Sequence, residues 1–185
     1  MADINQSIYL KKNLPKTTSV LEVGSKDYGD SQNFRTLFDC DYTGLDLEAG
    51  KGVDVVHDLT TGSGKLGQFG FVICCSVLEH TKNPFKAAKT LAKLVKPGGC
   101  MYIATPWIQR YHGKYPPDDY WRFTLPGMRL LFDEMELKNA YLSTFTKGEF
   151  FSLDENPSAG NHLSKLCDGR KYLPCFELHV MAYKQ

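Results

Sequence analysis

Three carboxylates and a glycine turn near the start of the chain carry the chemistry that stands out first. Glu22 and Gly24 close the apolar run Val20-Leu21-Glu22-Val23-Gly24, and Asp27 follows in Ser25-Lys26-Asp27-Tyr28-Gly29. Asp46 ends a second run, Tyr42-Thr43-Gly44-Leu45-Asp46-Leu47. An apolar run that ends in an acid and a glycine turn has the pattern of a buried strand passing into a helix. In a parallel αβ sheet such acids gather at the crevice outside the carboxyl ends of the strands, where a ligand of adenosine type is held.

The elements that must position these residues follow from periodicity. Apolar runs of strand length near 18–24, 41–47, 53–57, 69–76 and 99–105 alternate with segments of helical period, which predicts a parallel sheet covered by helices. Asp30 to Phe38 places Phe34, Leu37 and Phe38 on one side, and Asn83 to Val95 repeats Phe85, Ala88, Leu91, Ala92 and Val95. Pro84 fits a first helical turn, and Lys96-Pro97-Gly98-Gly99 supplies cations, proline and glycine as a stop. An aromatic, proline-rich loop runs from Trp107 to Phe123, and a helix is expected from Pro126 to about Met135. Two strands of alternating character, near 138–146 and 176–184, bring the expected total to seven. The connection from Lys147 to Cys175 exceeds a tight hairpin, and loops of that length are usually functional or disordered. With no repeats, low-complexity tracts or linkers, the 185 residues are expected to form a single domain, 1–185.

Composition narrows the function classes. A formal net charge of +1 provides no long-range field for nucleic acid or anionic membrane, so a polyanionic partner is disfavoured. No apolar run approaches the roughly 20 residues that span a bilayer, and Met1 to Lys12 lacks the apolar core of a signal peptide. A cytoplasmic location is expected. The six cysteines, Cys40, Cys74, Cys75, Cys100, Cys167 and Cys175, show no C-x-x-C pair or disulfide framework and read as buried reduced thiols. No residues are assigned to a metal, and nothing in the sequence sets the oligomeric state.

The turn chemistry separates the candidate ligands. A dinucleotide site wants G-x-G-x-x-G, so that backbone amides reach the pyrophosphate. Here Lys26 and Tyr28 stand where small residues would be needed, and Asp27 would repel a pyrophosphate. A ligand with a cationic centre and an amino-acid tail is instead favoured by neighbouring carboxylates such as Glu22 and Asp27. S-adenosylmethionine is such a ligand.

From about Val20 to Asp133 the sequence resembles a class I S-adenosylmethionine-dependent methyltransferase of the compact, type 11-like branch. The resemblance rests on five segments in order. They are Leu21-Glu22-Val23-Gly24, Gly44-Leu45-Asp46, Val55-Val56-His57-Asp58-Leu59, Cys75-Ser76-Val77-Leu78-Glu79-His80 and Leu94-Val95-Lys96-Pro97-Gly98-Gly99. It departs in the first motif, where related enzymes often carry E-x-G-x-G-x-G. It implies a Rossmann-like, seven-stranded, mostly parallel sheet with helices on both faces and a C-terminal antiparallel strand. It also implies a cofactor site formed by Glu22, Gly24, Ser25, Lys26, Asp46, Leu47, Asp58, Leu59, Cys75 and Ser76. Asp46 would accept from the ribose hydroxyls, Asp58 from the adenine amino group with the Leu59 amide on a ring nitrogen, and the backbone of Cys75 and Ser76 would receive the ammonium. Gly24 would let the backbone approach the methionine portion. A helix N-cap is the lesser alternative for Asp46 and for Asp58.

The expected substrate wall is the loop after the fifth strand, with Trp107, Tyr111, Tyr115 and Arg122. The segment Tyr115-Pro116-Pro117-Asp118-Asp119-Tyr120-Trp121-Arg122-Phe123-Thr124 resembles one recurring in the same branch. Its ring faces and polar tips suit hydroxyl-rich or aromatic acceptors, although Trp121, Arg122 and Phe123 also fit a loop pinned to the body. His112 and His80 are the candidates for proton abstraction near neutrality. Tyr115-Pro116-Pro117-Asp118 superficially matches a motif of enzymes that methylate flipped bases, but that motif follows the fourth strand. The leading expectation is methyl transfer to a small-molecule or glycan-like acceptor. The alternatives are a non-catalytic S-adenosylmethionine or S-adenosylhomocysteine binding protein of the same fold, and a nucleotide-linked oxidoreductase.

Overall fold

The computed structural model describes residues 4–29, 33–109, 111, 118–144, 146–154 and 177–185. Eight strands form one sheet: β1 (Ser19–Val23), β2 (Asp41–Asp46), β3 (Val55–Val56), β4 (Phe69–Cys75), β5 (Val95–Pro106), β6 (Glu136–Ser143), β7 (Phe150–Ser152) and β8 (Glu177–Tyr183). Their order is β3-β2-β1-β4-β5-β8-β6-β7. The first five are parallel to one another, while β8 runs antiparallel to β5 and β6, and β7 antiparallel to β6. The mostly parallel sheet with an antiparallel C-terminal strand is therefore present, but it has eight strands where seven were expected. The extra one, β7, is three residues long and lies in the segment read as loop, too short to leave a periodic signature.

The central strands are apolar on both sides because both faces are covered. One face packs beneath α2 (Pro84–Leu94) and α3 (Leu125–Leu131), with Leu21, Val72, Leu91, Met128, Phe132 and Val180 in its core. The other packs beneath α1 (Ile4–Lys12) and a short 3-10 turn at Phe34–Leu37, with Tyr9, Leu10, Val20, Phe34, Phe71 and Tyr102 inside. The helix expected across Asp30 to Phe38 is this 3-10 turn among the described residues.

Local chemistry sets the ends of the helices. The Asn83 side chain accepts from the Lys86 amide at 3.1 Å, and Pro84 occupies the first turn of α2. The helix stops at Leu94, and Lys96 to Gly99 forms an irregularity inside β5, with Gly98 at φ +72°. The Thr124 hydroxyl caps α3 by accepting from Gly127 at 3.2 Å. That helix ends at Leu131, short of the expected Met135.

Helix α1 was not foreseen. Its inward face carries Asn5, Gln6 and Ser7 beside Tyr9 and Leu10, so it lacks the apolar stripe that periodicity detects. The chain moves outward from β1 to β2 and β3, then crosses back to place β4 on the other side of β1. The order of strand addition therefore reverses between β1 and β4, and ligands of such sheets bind at the carboxyl side of that point. Among the described residues, no helix is long and apolar enough to cross a membrane.

Candidate functional site

The turn after β1 is held against the end of β2. Gly24 and Ser25 donate their amides to the Leu45 carbonyl at 2.8 and 3.1 Å. Gly24 has φ +77°, and a Cβ there would lie 2.6 Å from Val77 Cγ2, across the crevice on the segment after β4. Gly24 is therefore required both for its backbone angle and for the approach of the β4 segment.

Asp46 ends β2 and accepts two amides, Lys26 N–H on Oδ2 at 3.1 Å and Glu48 N–H on Oδ1 at 3.2 Å. Leu47 and Tyr28, on the loops that follow β2 and β1, are 51 % and 69 % exposed. Tyr28 lies close enough to Asp46 for the carboxylate to help hold its phenol protonated, although burial is the larger cause.

The structure also explains the departure from the glycine-rich first motif. Lys26 pairs with Glu48 at 2.7 Å, while Asp27 pairs with Lys51 at 2.7 Å. Small residues on and after β2 make room for this bulkier turn. A Cβ on Gly50 would come within 3.0 Å of Lys26 Cγ and Cε, one on Gly52 within 2.6 Å of the Ser25 carbonyl, and one on Gly44 within 2.7 Å of Ser25 Oγ. Glycines lining the second loop thus accommodate side chains that a glycine-rich first loop would lack.

The remaining expected cofactor residues take varied places. Asp58 is the N-cap of the 3-10 turn Leu59–Thr61, its Oδ1 accepting from Thr60 N–H at 2.8 Å and Thr60 Oγ at 2.7 Å. The preceding residue is tied to Asp46 by His57 N–H donating to the Asp46 carbonyl at 2.9 Å. The Leu59 side chain is buried in the core. Glu22 accepts from the Tyr42 hydroxyl at 2.8 Å, and burial pushes its carboxyl up to about 7 against the opposing pull of that bond and of Arg35. Burial also holds the Cys75 thiol well above its ordinary range, with Glu177 and Glu22 adding to the shift, so the thiol stays protonated. Cys40, Cys74 and Cys100 are likewise free thiols. Ser76 has φ +53°, uncommon for a residue with a side chain, and donates its amide to the Ala104 carbonyl at 2.9 Å.

The loop after β5 is anchored on the turn after β4. Tyr120 and Trp121 donate their amides to the Glu79 carbonyl at 2.7 and 3.2 Å, and Trp121 Nε1–H donates to the Thr81 carbonyl at 2.8 Å. Arg122 grips Asp119 with both terminal nitrogens, the second at 2.7 Å, and reaches the Gln109 carbonyl. That matches the pinned-loop reading of this residue. His80 Nδ1 lies 3.1 Å from the Asp118 carbonyl, so this ring nitrogen donates to that oxygen. Trp107 packs against the core beneath α2 and α3, and the exposed Tyr111 donates its hydroxyl to Asp118 at 3.3 Å. His112 and Tyr115 lie outside the described residues.

Two residues at this rim had no expected role. Gln6 on α1 donates through Nε2 to Ser76 Oγ at 3.1 Å and to Glu177 Oε1 at 2.6 Å. Glu79, quoted in a motif but given no function, is fully buried, and burial pushes its carboxyl up to about 8. Gln6 Oε1, Ser25 Oγ, both Glu79 carboxylate oxygens and Thr105 Oγ1 are buried with no hydrogen-bond partner. All belong to segments at the carboxyl ends of β1, β4 and β5 or to the helix packed on them. Unpaired buried polar atoms cost about 1–3 kcal/mol each.

The fold is that of a doubly wound α/β protein whose strand order switches between β1 and β4. The chain belongs to the methyltransferase-domain family, whose profile matches residues 5–155. Among curated proteins it is similar to the ubiquinone biosynthesis O-methyltransferase of Caulobacter vibrioides, 38% identical over 61 residues, covering 31% of this chain and 24% of that protein. The corresponding protein of Marinobacter nauticus is 33% identical over 63 residues, covering 32% of this chain and 26% of its own length. The chain thus matches only about a quarter of these relatives. Among solved structures it resembles a SAM-dependent methyltransferase from Archaeoglobus fulgidus with TM-score 0.65 at 14% identity, covering 97% of this chain and 94% of that one. It also resembles the Burkholderia thailandensis 1,6-didemethyltoxoflavin-N1-methyltransferase, bound to 1,6-didemethyltoxoflavin and S-adenosylhomocysteine. The TM-score there is 0.64 at 16% identity, covering 97% of this chain and 76% of that one. Likeness at such identities concerns the fold.

Proposed function

We propose that the chain is an S-adenosylmethionine-dependent methyltransferase acting on a small-molecule or glycan-like acceptor, as a single domain in the cytoplasm. The observation that carries this reading is Asp46, an oriented carboxylate at the end of β2 between the exposed Leu47 and Tyr28. S-adenosylmethionine supplies an electrophilic methyl group, and the protein must align the acceptor, exclude water and, for some acceptors, take a proton.

In this reading each residue is assigned a task. Asp46 binds the ribose hydroxyls, and Asp58, whose cap uses Oδ1, meets the adenine amino group through its other oxygen. Leu47 supplies an apolar wall, and the Leu59 amide faces the ring. Gly24, Ser25 and the backbone of Cys75 and Ser76 receive the amino-acid end, with Glu22 nearby to balance its ammonium. Lys26 contributes through its backbone amide and its link to Glu48. His80 is assigned the role of accepting a proton, and His112 is assigned the same role from sequence. Trp107, Tyr111, Tyr115 and Arg122 belong to the acceptor side, where Arg122 holds the loop in place. A small acceptor agrees with the net charge of +1, which gives nucleic acid no electrostatic foothold.

Calorimetric titration tests the cofactor, with S-adenosylmethionine and S-adenosylhomocysteine expected to bind and NAD to show no heat of binding. Asp46→Ala is expected to weaken cofactor binding at least tenfold, as the loss of charge-assisted hydrogen bonds requires. Unchanged affinity in that variant refutes the site. Transfer of a labelled methyl group into a panel of small acceptors separates turnover from mere binding.

A further inference from the structure

Asp46 and its two amide donors belong to a closed ring of contacts. Lys26 N–H reaches Asp46 Oδ2 at 3.1 Å, Glu48 N–H reaches Oδ1 at 3.2 Å, and the two donor residues are joined by the Lys26 Nζ to Glu48 Oε2 ion pair at 2.7 Å. The pair therefore closes a ring that runs through the carboxylate and the two residues whose amides hold it. Each neighbouring group reinforces the ring. The Lys26 stem lies on Gly50, and the Tyr28 ring sits 5.3 Å from the ammonium in cation–π range. The parallel Asp27–Lys51 pair at 2.7 Å, with Asp27 N–H on the Lys51 carbonyl at 2.8 Å, clamps the same two loops a few residues further on.

A pair this open contributes little to folding, because solvent screens it and two long side chains lose freedom to form it. The side chains are 21% and 66% exposed, so stability alone gives no account of a lysine where related enzymes often carry glycine. Orientation does. A carboxylate that accepts from two hydroxyls must present its outward lone pairs in a fixed plane, and the ring fixes that plane before the ligand arrives.

We propose that Lys26 and Glu48 are positioning residues for the ribose site, acting through Asp46 by holding the amides that orient its carboxylate. The inference rests on the assignment of Asp46 to the ribose and goes beyond it by explaining the lysine in the first motif. The pair touches no reacting atom. Its effect belongs to binding, common to every ligand that carries the ribose.

The test is a double-mutant cycle read as dissociation constants for S-adenosylhomocysteine and for adenosine, with melting temperature measured alongside. Lys26→Met keeps the stem on Gly50 and removes the charge, and Glu48→Gln keeps the shape and removes the partner. Each single variant is expected to weaken both ligands about three- to tenfold. The double variant is expected to be no weaker than either single one, and all should melt close to the parent. Raising the salt concentration should weaken the parent and leave Lys26→Met nearly unmoved. Parental affinity in both single variants, or losses that simply multiply in the double variant, overturns the proposal. Asp46→Asn separates this failure from that of the underlying site. If Asp46→Asn loses affinity while the pair variants do not, the ribose site stands and the positioning role falls. If Asp46→Asn also binds as the parent does, both fall.

Discussion

Glu79 shows what one buried acid does to the chain. Its carboxyl is fully enclosed, and burial pushes it up to about 8, with Glu177 and Asp119 adding to the rise and Arg122 opposing it. The unfolded chain releases this proton near the ordinary glutamate value of about 4.3, whereas the folded chain keeps it until the higher value. Stability from this group is therefore intact below the unfolded value and is lost as pH rises through the folded one, at a limiting slope of ~1.4 kcal/mol per pH unit. Glu79→Gln should remove that slope. Urea midpoints at pH 5 and pH 8 are expected to differ less in the variant than in the parent, and equal differences would show that Glu79 does not retain its proton. His179 has the opposite sign. Burial lowers it to about 3, so its contribution is lost as pH falls below the ordinary histidine value of about 6.5. Asp46, Asp58 and Gly24 were legible as candidates because their types and their places after apolar runs are local features. The state of Glu79 was not legible, since it depends on Asp119, Arg122 and Glu177, at least 40 positions away in sequence.

At the scale of elements, the first two parallel strands and their loops behave as one interlocked unit. Gly44 sits inside β2, paired with Glu22 of β1, and its amide is held by Asp54 at 2.7 Å. A Cβ at Gly44 would lie 2.0 Å from the Gly52 carbonyl, a backbone atom that cannot simply rotate aside. Gly44→Ala is therefore expected to cost about 1–3 kcal/mol, the range typical of overpacking, and to weaken cofactor binding as the loops part. Chemical denaturation checks the first effect and calorimetry the second. An alanine variant with parental stability would show that the two loops yield independently. Strands β1 and β4 were readable because they are short apolar runs bounded by turn residues, and α2 because its apolar repeat, proline start and asparagine cap are local. Helix α1 escaped because it buries asparagine, glutamine and serine, and β7 because three residues carry no period.

Across the whole molecule, the sheet separates two cores of different character. Beneath α2 and α3 the packing is almost wholly aliphatic, while beneath α1 it is aromatic and polar. Tyr9 stands at the centre of the latter, stacked on Tyr102 at 4.9 Å and on His179 at 5.3 Å, with its hydroxyl donating to the Asn139 carbonyl. His179 in turn lies 2.8 Å from both the Tyr102 hydroxyl and Ser143 Oγ. Tyr9→Ala opens this assembly and is expected to cost about 3–5 kcal/mol, as large aromatic truncations in cores do, measured as a shift in the urea midpoint. A loss below ~1 kcal/mol would mean that α1 is not integral to the fold. Sequence by itself determined the alternation of strands and helices, the acids at the strand ends and the absence of a strong charge field. Those features reside in neighbouring residues and in composition. Tertiary structure alone decided that Lys26 pairs with Glu48, that Gln6 reaches Ser76 and Glu177, and that Glu79 is enclosed. Each of these depends on which distant segment the sheet brings alongside, and that juxtaposition fixes a side chain's partners, its dielectric surroundings and its proton.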